Sequence, residues 1–122
     1  MHTPKPISKE SVPRALSKVV RYRLLNEPLQ AESICRDVLA VDPENQEALI
    51  GLILSMTDMF GNGGGSGGGD SKVDDVLPLT ERLKSPFDRA YYEGVARERW
   101  ARTLLAAGYP AASVLRWFHS AM

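Results

Sequence analysis

Apolar residues recur at spacings of three and four along most of this chain, and strict apolar–polar alternation is absent. That pattern predicts helices and no strands. A first helix runs from about Val12 to Leu25, with Val12, Ala15, Leu16, Val19, Val20 and Leu24 on its stripe. Ser11 stands at the N-cap position, and Pro13 fits the first turn. A second helix follows Asn26-Glu27-Pro28 and carries Ala31, Ile34, Cys35, Val38 and Leu39. It stops at Asp42-Pro43, because the residue before a proline is pushed out of the α region. A third starts near Asn45 and carries Leu49, Leu52, Ile53, Met56 and Phe60.

The fourth helix is less regular. Val73, Val76, Leu77, Thr80 and Leu83 share a face, but Pro78 lies among them. Either the helix kinks there or it begins at Asp74 or Asp75, with Pro78 in its first turn. Ser85-Pro86 opens a long fifth helix whose stripe is Phe87, Ala90, Tyr91, Gly94, Val95, Ala101, Leu104 and Leu105. Gly108 ends it, and Pro110 prevents its continuation. A sixth runs from about Ala111, with Val114, Leu115 and Phe118 on one face and Trp117 beside it. The expectation is an all-α fold of about six helices in antiparallel pairs, 1–2, 3–4 and 5–6. Residues 1–10 form a flexible N-terminus, and 11–122 form one domain. A disordered glycine-rich loop at 61–71, holding seven of the ten glycines, interrupts it.

The prolines set a repeat. Pro43 and Pro86 lie 43 residues apart, and removing the nine residues Gly61 to Gly69 leaves 34. Ala31-x3-Cys35 followed by Asp42-Pro43, with Tyr22 nine residues upstream, resembles the closing part of a tetratricopeptide repeat. Leu49-x2-Leu52-Ile53-x2-Met56 and Tyr92-x2-Val95-Ala96 resemble the first helices of two further units. The resemblance covers most of residues 12–121 and is strongest over 22–56. Its usual tryptophan position is taken by Ala15, Leu49 and Tyr92, and its usual glycine by Val19, Ile53 and Ala96. It implies a short stacked array in which the first helix of each pair lines a concave groove. Arg23, Ile50, Leu54, Glu93, Arg97 and Trp100 would face that groove and bind a protein or peptide partner. The Lys and Asn set of the family's acidic-tail clamp is missing.

Composition narrows the chemistry. Of 122 residues, 43% are apolar and 25% charged, the balance of a soluble globular domain. Fifteen basic residues balance fifteen acidic ones, so the total supports no generic grip on nucleic acid or anionic lipid. No run is long and apolar enough to span a membrane, and no signal-peptide core follows Met1. With a single cysteine, this points to a reducing, cytoplasmic setting. Cys35 sits on an apolar stripe and reads as a core thiol. His2 and His119 with that one cysteine make no structural zinc set, and no cofactor is implied. The glycine run formally contains G-x-G-x-x-G, but helical residues precede it where a dinucleotide fingerprint needs a strand. Asp74-Asp75 and Glu44-Glu47 lie at helix starts, where the backbone dipole favours acids. Glu93–Arg97 and Glu98–Arg102 are i,i+4 pairs with the acid first. With no catalytic constellation in view, the expected role is a non-enzymatic scaffold or adaptor. The alternative is a self-assembly module. Helical arrays expose an apolar face on their last unit unless it is capped. Val114, Trp117 and Phe118 would then meet a second copy, or the chain would be a fragment of a longer one.

Overall fold

Short, strongly capped turns set the architecture in the computed structural model, which describes residues 8–61 and 72–114. Among these residues the regular structure is helical and no β-strand occurs. A 3-10 turn, Lys9–Ser11, leads into α1 (Val12–Leu24). Ser11 is already helical and does not cap α1. Its hydroxyl meets that of Ser8 at 2.9 Å, because the 3-10 turn has satisfied the local backbone first. Asn26 then takes φ 60°, which lets the Glu27 N–H reach the Tyr22 carbonyl at 2.8 Å and the Asn26 N–H reach that of Arg23 at 3.0 Å. This double closure ends α1 and turns the chain straight into α2 (Pro28–Val41).

The next turn is held by one side chain. Asn45 accepts the Ala48 N–H on its Oδ1 at 2.9 Å and donates from Nδ2 to Asp42 at 3.1 Å, which starts α3 (Gln46–Asp58). The fourth helix, α4 (Val73–Thr80), neither kinks into two nor waits for Asp74. Pro78 is its exposed sixth residue, and the helix ends two residues later. Asp75 accepts the Lys72 N–H at 3.3 Å at its start. The long α5 (Pro86–Ala106) is capped by Ser85, whose Oγ accepts the Asp88 N–H at 3.3 Å. Gly108 at φ 97° closes it as expected. The Tyr109 N–H bonds to the Leu104 carbonyl, and the Gly108 N–H to that of Leu105. Residues 111–114 are helical, where the sequence places the beginning of a sixth helix. Trp117 and Phe118, the N-terminal residues 1–7 and residues 62–71 of the glycine loop lie outside the described residues.

The helices pack in sequence, α1 on α2, α2 on α3, α3 on α4 and α4 on α5, while α3 also touches α1 and α5. So α1, α3 and α5 form one layer, and a shared hollow lined by Glu32 and Arg36 of α2 and Asp75 and Leu79 of α4 places these two helices on one side of it. Directions follow from named contacts. Val12 and Ala15, early in α1, cluster with Val38, late in α2, and Ala48, early in α3. The Lys84 N–H, after α4, donates to Gln46 Oε1 at 2.8 Å, at the start of α3. Sequence neighbours are therefore antiparallel, and α1, α3 and α5 run the same way.

The core stripes of α2, α3 and α4 are those the spacing predicts. Ala31, Cys35, Val38, Leu49, Leu52, Ile53, Met56, Val73, Val76 and Leu83 are buried. Gly51 permits the closest approach: a Cβ there would stand 3.0 Å from Cys35 Sγ and 3.1 Å from Val19 Cγ1. The predicted stripe of α5 is corrected. Phe87, Ala90, Tyr91, Gly94 and Leu105 are exposed. The helix packs instead through Ala96, which is fully buried, with Tyr92 and Trp100 beside it. A small residue at the contact brings α5 close, and the larger apolar side chains are left on the other side. On α1, Val20 and Leu24 likewise turn outward.

Candidate functional site

The layer of α1, α3 and α5 has one face turned away from α2 and α4. Helical phase places Leu16 and Val20 of α1, Ile50 and Leu54 of α3, and Tyr91 and Val95 of α5 on it. Leu16, Ile50, Leu54 and Val95 are half-buried, and Val20 and Tyr91 are exposed. A shallow hollow between α1 and α3 is lined by Leu16, Val20, Asn45 and Glu47, among others. Tyr91 meets Tyr92 edge to face at 4.9 Å and stacks on Phe87 at 6.1 Å. The face is thus apolar along its middle.

An ionic cluster closes one end. Arg23 of α1 donates from Nε to Asp58 Oδ2 at 2.8 Å and from Nη2 to Oδ1 at 3.2 Å. Arg99 of α5 donates from Nη1 to the same Oδ1 at 3.1 Å and to Thr57 Oγ1 at 2.7 Å. One carboxylate at the end of α3 therefore ties all three parallel helices together. Tyr92 feels the charges of both Arg23 and Asp88. Burial first, then the Asp88 carboxylate and Tyr91, push its hydroxyl's pKa up, against an opposing pull from Arg23.

The six groove residues expected from the sequence separate into two groups. Arg23, Ile50 and Leu54 lie on this face, Arg23 within the ionic cluster. Trp100 does not present a free ring: it packs on the core, edge to face with Phe60 at 5.2 Å. Arg97 bonds Glu93 through Nη2 at 2.8 Å with its side chain only 12% exposed, so the local i,i+4 pair engages both residues. On α5 it is Tyr92, Val95 and Arg99 that face α1 and α3, about one third of a turn from the residues expected. Asp58 was not singled out either, although an acid at a helix C-terminus opposes the backbone dipole and so calls for a cation. Of the expected oligomer contacts, Val114 is 4% exposed, buried within the chain itself.

Cys35 carries no exposed chemistry. Burial, aided by the Glu32 carboxylate, pushes its thiol pKa up to about 12 from 9.0. From pH 9 upward an unfolded chain loses this proton while the folded one keeps it. The thiol's share of stability is complete below pH 9 and falls between 9 and 12 by about 1.4 kcal/mol per pH unit. The stability difference between the native chain and Cys35→Ala, followed by urea unfolding, is expected to hold constant below pH 9 and to shift in favour of the variant above it.

Among the described residues no group of three His, Cys, Asp or Glu side chains is placed to hold a metal, and no helix is long and apolar enough to cross a membrane. Compared with family models, curated proteins and solved structures, the chain matches none.

Proposed function

We propose that this chain is a non-enzymatic interaction module of tetratricopeptide-like build, and that the face of α1, α3 and α5 receives a protein segment. The observation that carries this reading is the apolar row across three parallel helices. With helix axes about 8–10 Å apart, three of them offer a surface about 20 Å wide, enough for an extended strand or a helix. Exposed apolar area rimmed by charge is the usual mark of such a contact. The Arg23–Asp58–Arg99 cluster fixes the spacing of the three helices, so the face is preorganised. Among the described residues the raised pKa values of Cys35 and Tyr92 leave neither side chain an activated nucleophile.

Selection from a displayed random-peptide library, followed by titration of the selected peptides, tests the proposal. Leu54→Lys places a charge in the middle of the row on a half-exposed position. We expect it to weaken the selected peptides at least about tenfold, a loss of about 1.4 kcal/mol, with helicity unchanged. Peptides that bind Leu54→Lys as tightly as the native chain, or a selection that yields none, would remove this face as the binding site.

A further inference from the structure

The balance of fifteen cations against fifteen acids is a sum, and the charges are not evenly spread. Residues 1–25 hold six Lys or Arg and one Glu, whereas residues 26–81 hold two Lys or Arg and eleven Asp or Glu. Helix α1 itself contains no acid. Arg14, Lys18 and Arg21 are all exposed and, among the described residues, make no ion pair. Their spacing, i, i+4 and i+7, lines them along one side of the helix over about 10 Å. That side points away from the α1 residues that pack on α2 and α3.

Apolar side chains flank the cations. Leu24 is 82% exposed and Leu25 61%. By helical phase they lie on either side of Arg21. Leaving two large apolar side chains in water is unfavourable unless something covers them. We propose that this outer surface of α1 is a docking site for an anionic lipid surface, with Arg14, Lys18 and Arg21 at the headgroups and Leu24 and Leu25 entering the acyl boundary. Charge complementarity supports it, since a cationic stripe beside exposed leucines is what binds at an anionic interface. Shape supports a lipid over a protein. The outside of a single helix is convex and offers no socket for a partner's anchor, while a fluid surface needs none. This surface lies on a different part of α1 from the row facing α3 and α5, so it is independent of the peptide face.

Co-sedimentation of the full chain with vesicles tests it, using phosphatidylcholine alone and phosphatidylcholine with about one-third phosphatidylserine. Binding is expected to the anionic vesicles only, and to fall at least tenfold when salt rises from about 0.1 M to about 1 M, where screening shortens from about 10 Å to about 3 Å. Arg14→Glu/Lys18→Glu/Arg21→Glu should abolish it, and Leu24→Ser/Leu25→Ser should weaken it several-fold at unchanged charge. Circular dichroism checks that each variant folds, and the triple Gln variant replaces the Glu one if that fails to fold. Leu54→Lys should bind vesicles as the native chain does. Equal binding to both vesicle types, none to either, or binding that survives the triple variant overturns the proposal. Poly-glutamate that competes at equal charge concentration while the Leu24/Leu25 variant binds normally would also overturn it, in favour of an acidic polypeptide partner.

Discussion

Leu52→Ala is expected to cost about 2–5 kcal/mol, the range for deleting a buried leucine side chain, and to lower the urea midpoint with the slope unchanged. Leu52 is 1% exposed at the middle of α3, the helix that touches all four others. The change removes three carbons' worth of apolar contact and leaves a cavity. The surroundings have little freedom to collapse into it. Gly51, the next residue, already holds α3 against Cys35 and Val19, and a helix pinned by that approach does not shift inward to refill the space. The loss should therefore lie in the upper half of the range. A domain of this size has about 5–15 kcal/mol in total, so the variant sits near its unfolding limit. Leu24→Ala, at 82% exposure, is the control and should change stability by less than about 0.5 kcal/mol. A Leu52→Ala loss no larger than that of the control would mean that α3 is not the shared core element.

Most of the architecture was legible because its signals are local. Pro28, Pro43 and Pro86 break or start helices by steric rules that tertiary contacts do not override, and Asn45, Ser85 and Gly108 cap where short-range hydrogen bonding favours them. The stripes of α2 and α3 were legible because each helix buries one wide apolar face. Helix α5 was not, and the reason is physical. It offers two competing faces, one with Phe87, Tyr91 and Leu105, the other with Tyr92, Ala96, Trp100 and the stems of Arg89 and Arg99. Counting apolar residues favours the first. Close approach at Ala96 and a carboxylate waiting at the end of α3 select the second, and both depend on a neighbour distant in sequence. The same ambiguity bears on the candidate face: Glu93, Arg97 and Trp100 lie on a different side of α5 from Tyr92, Val95 and Arg99, whereas Arg23, Ile50 and Leu54 lie where α1 and α3 border that face.

Asp58→Ala should cost about 1–3 kcal/mol, and the argument for that size is one of competing terms. In its favour, the carboxylate accepts bonds from two guanidinium groups, and its removal leaves Arg23 and Arg99 facing each other without a counter-charge. Against it, the side chains of Arg23, Asp58 and Arg99 are 27%, 24% and 39% exposed, so water screens part of the attraction. The acid also opposes the α3 dipole, and losing it returns about 0.3–1 kcal/mol. A surface pair alone would be worth less than about 1 kcal/mol; the bidentate geometry and the shared partner raise this one above it. Asp58→Asn keeps an acceptor without the charge and should fall between the native chain and Asp58→Ala. The functional consequence separates this cluster from a purely structural one. If it spaces α1, α3 and α5, then Asp58→Ala should weaken a peptide bound on the Ile50–Leu54 row although it removes no apolar contact. Arg23→Ala and Arg99→Ala should each couple to it by about 0.5–3 kcal/mol in a double-mutant cycle on stability. Additive losses in those cycles, together with unchanged peptide affinity, would show that the three side chains are neighbours without a common task.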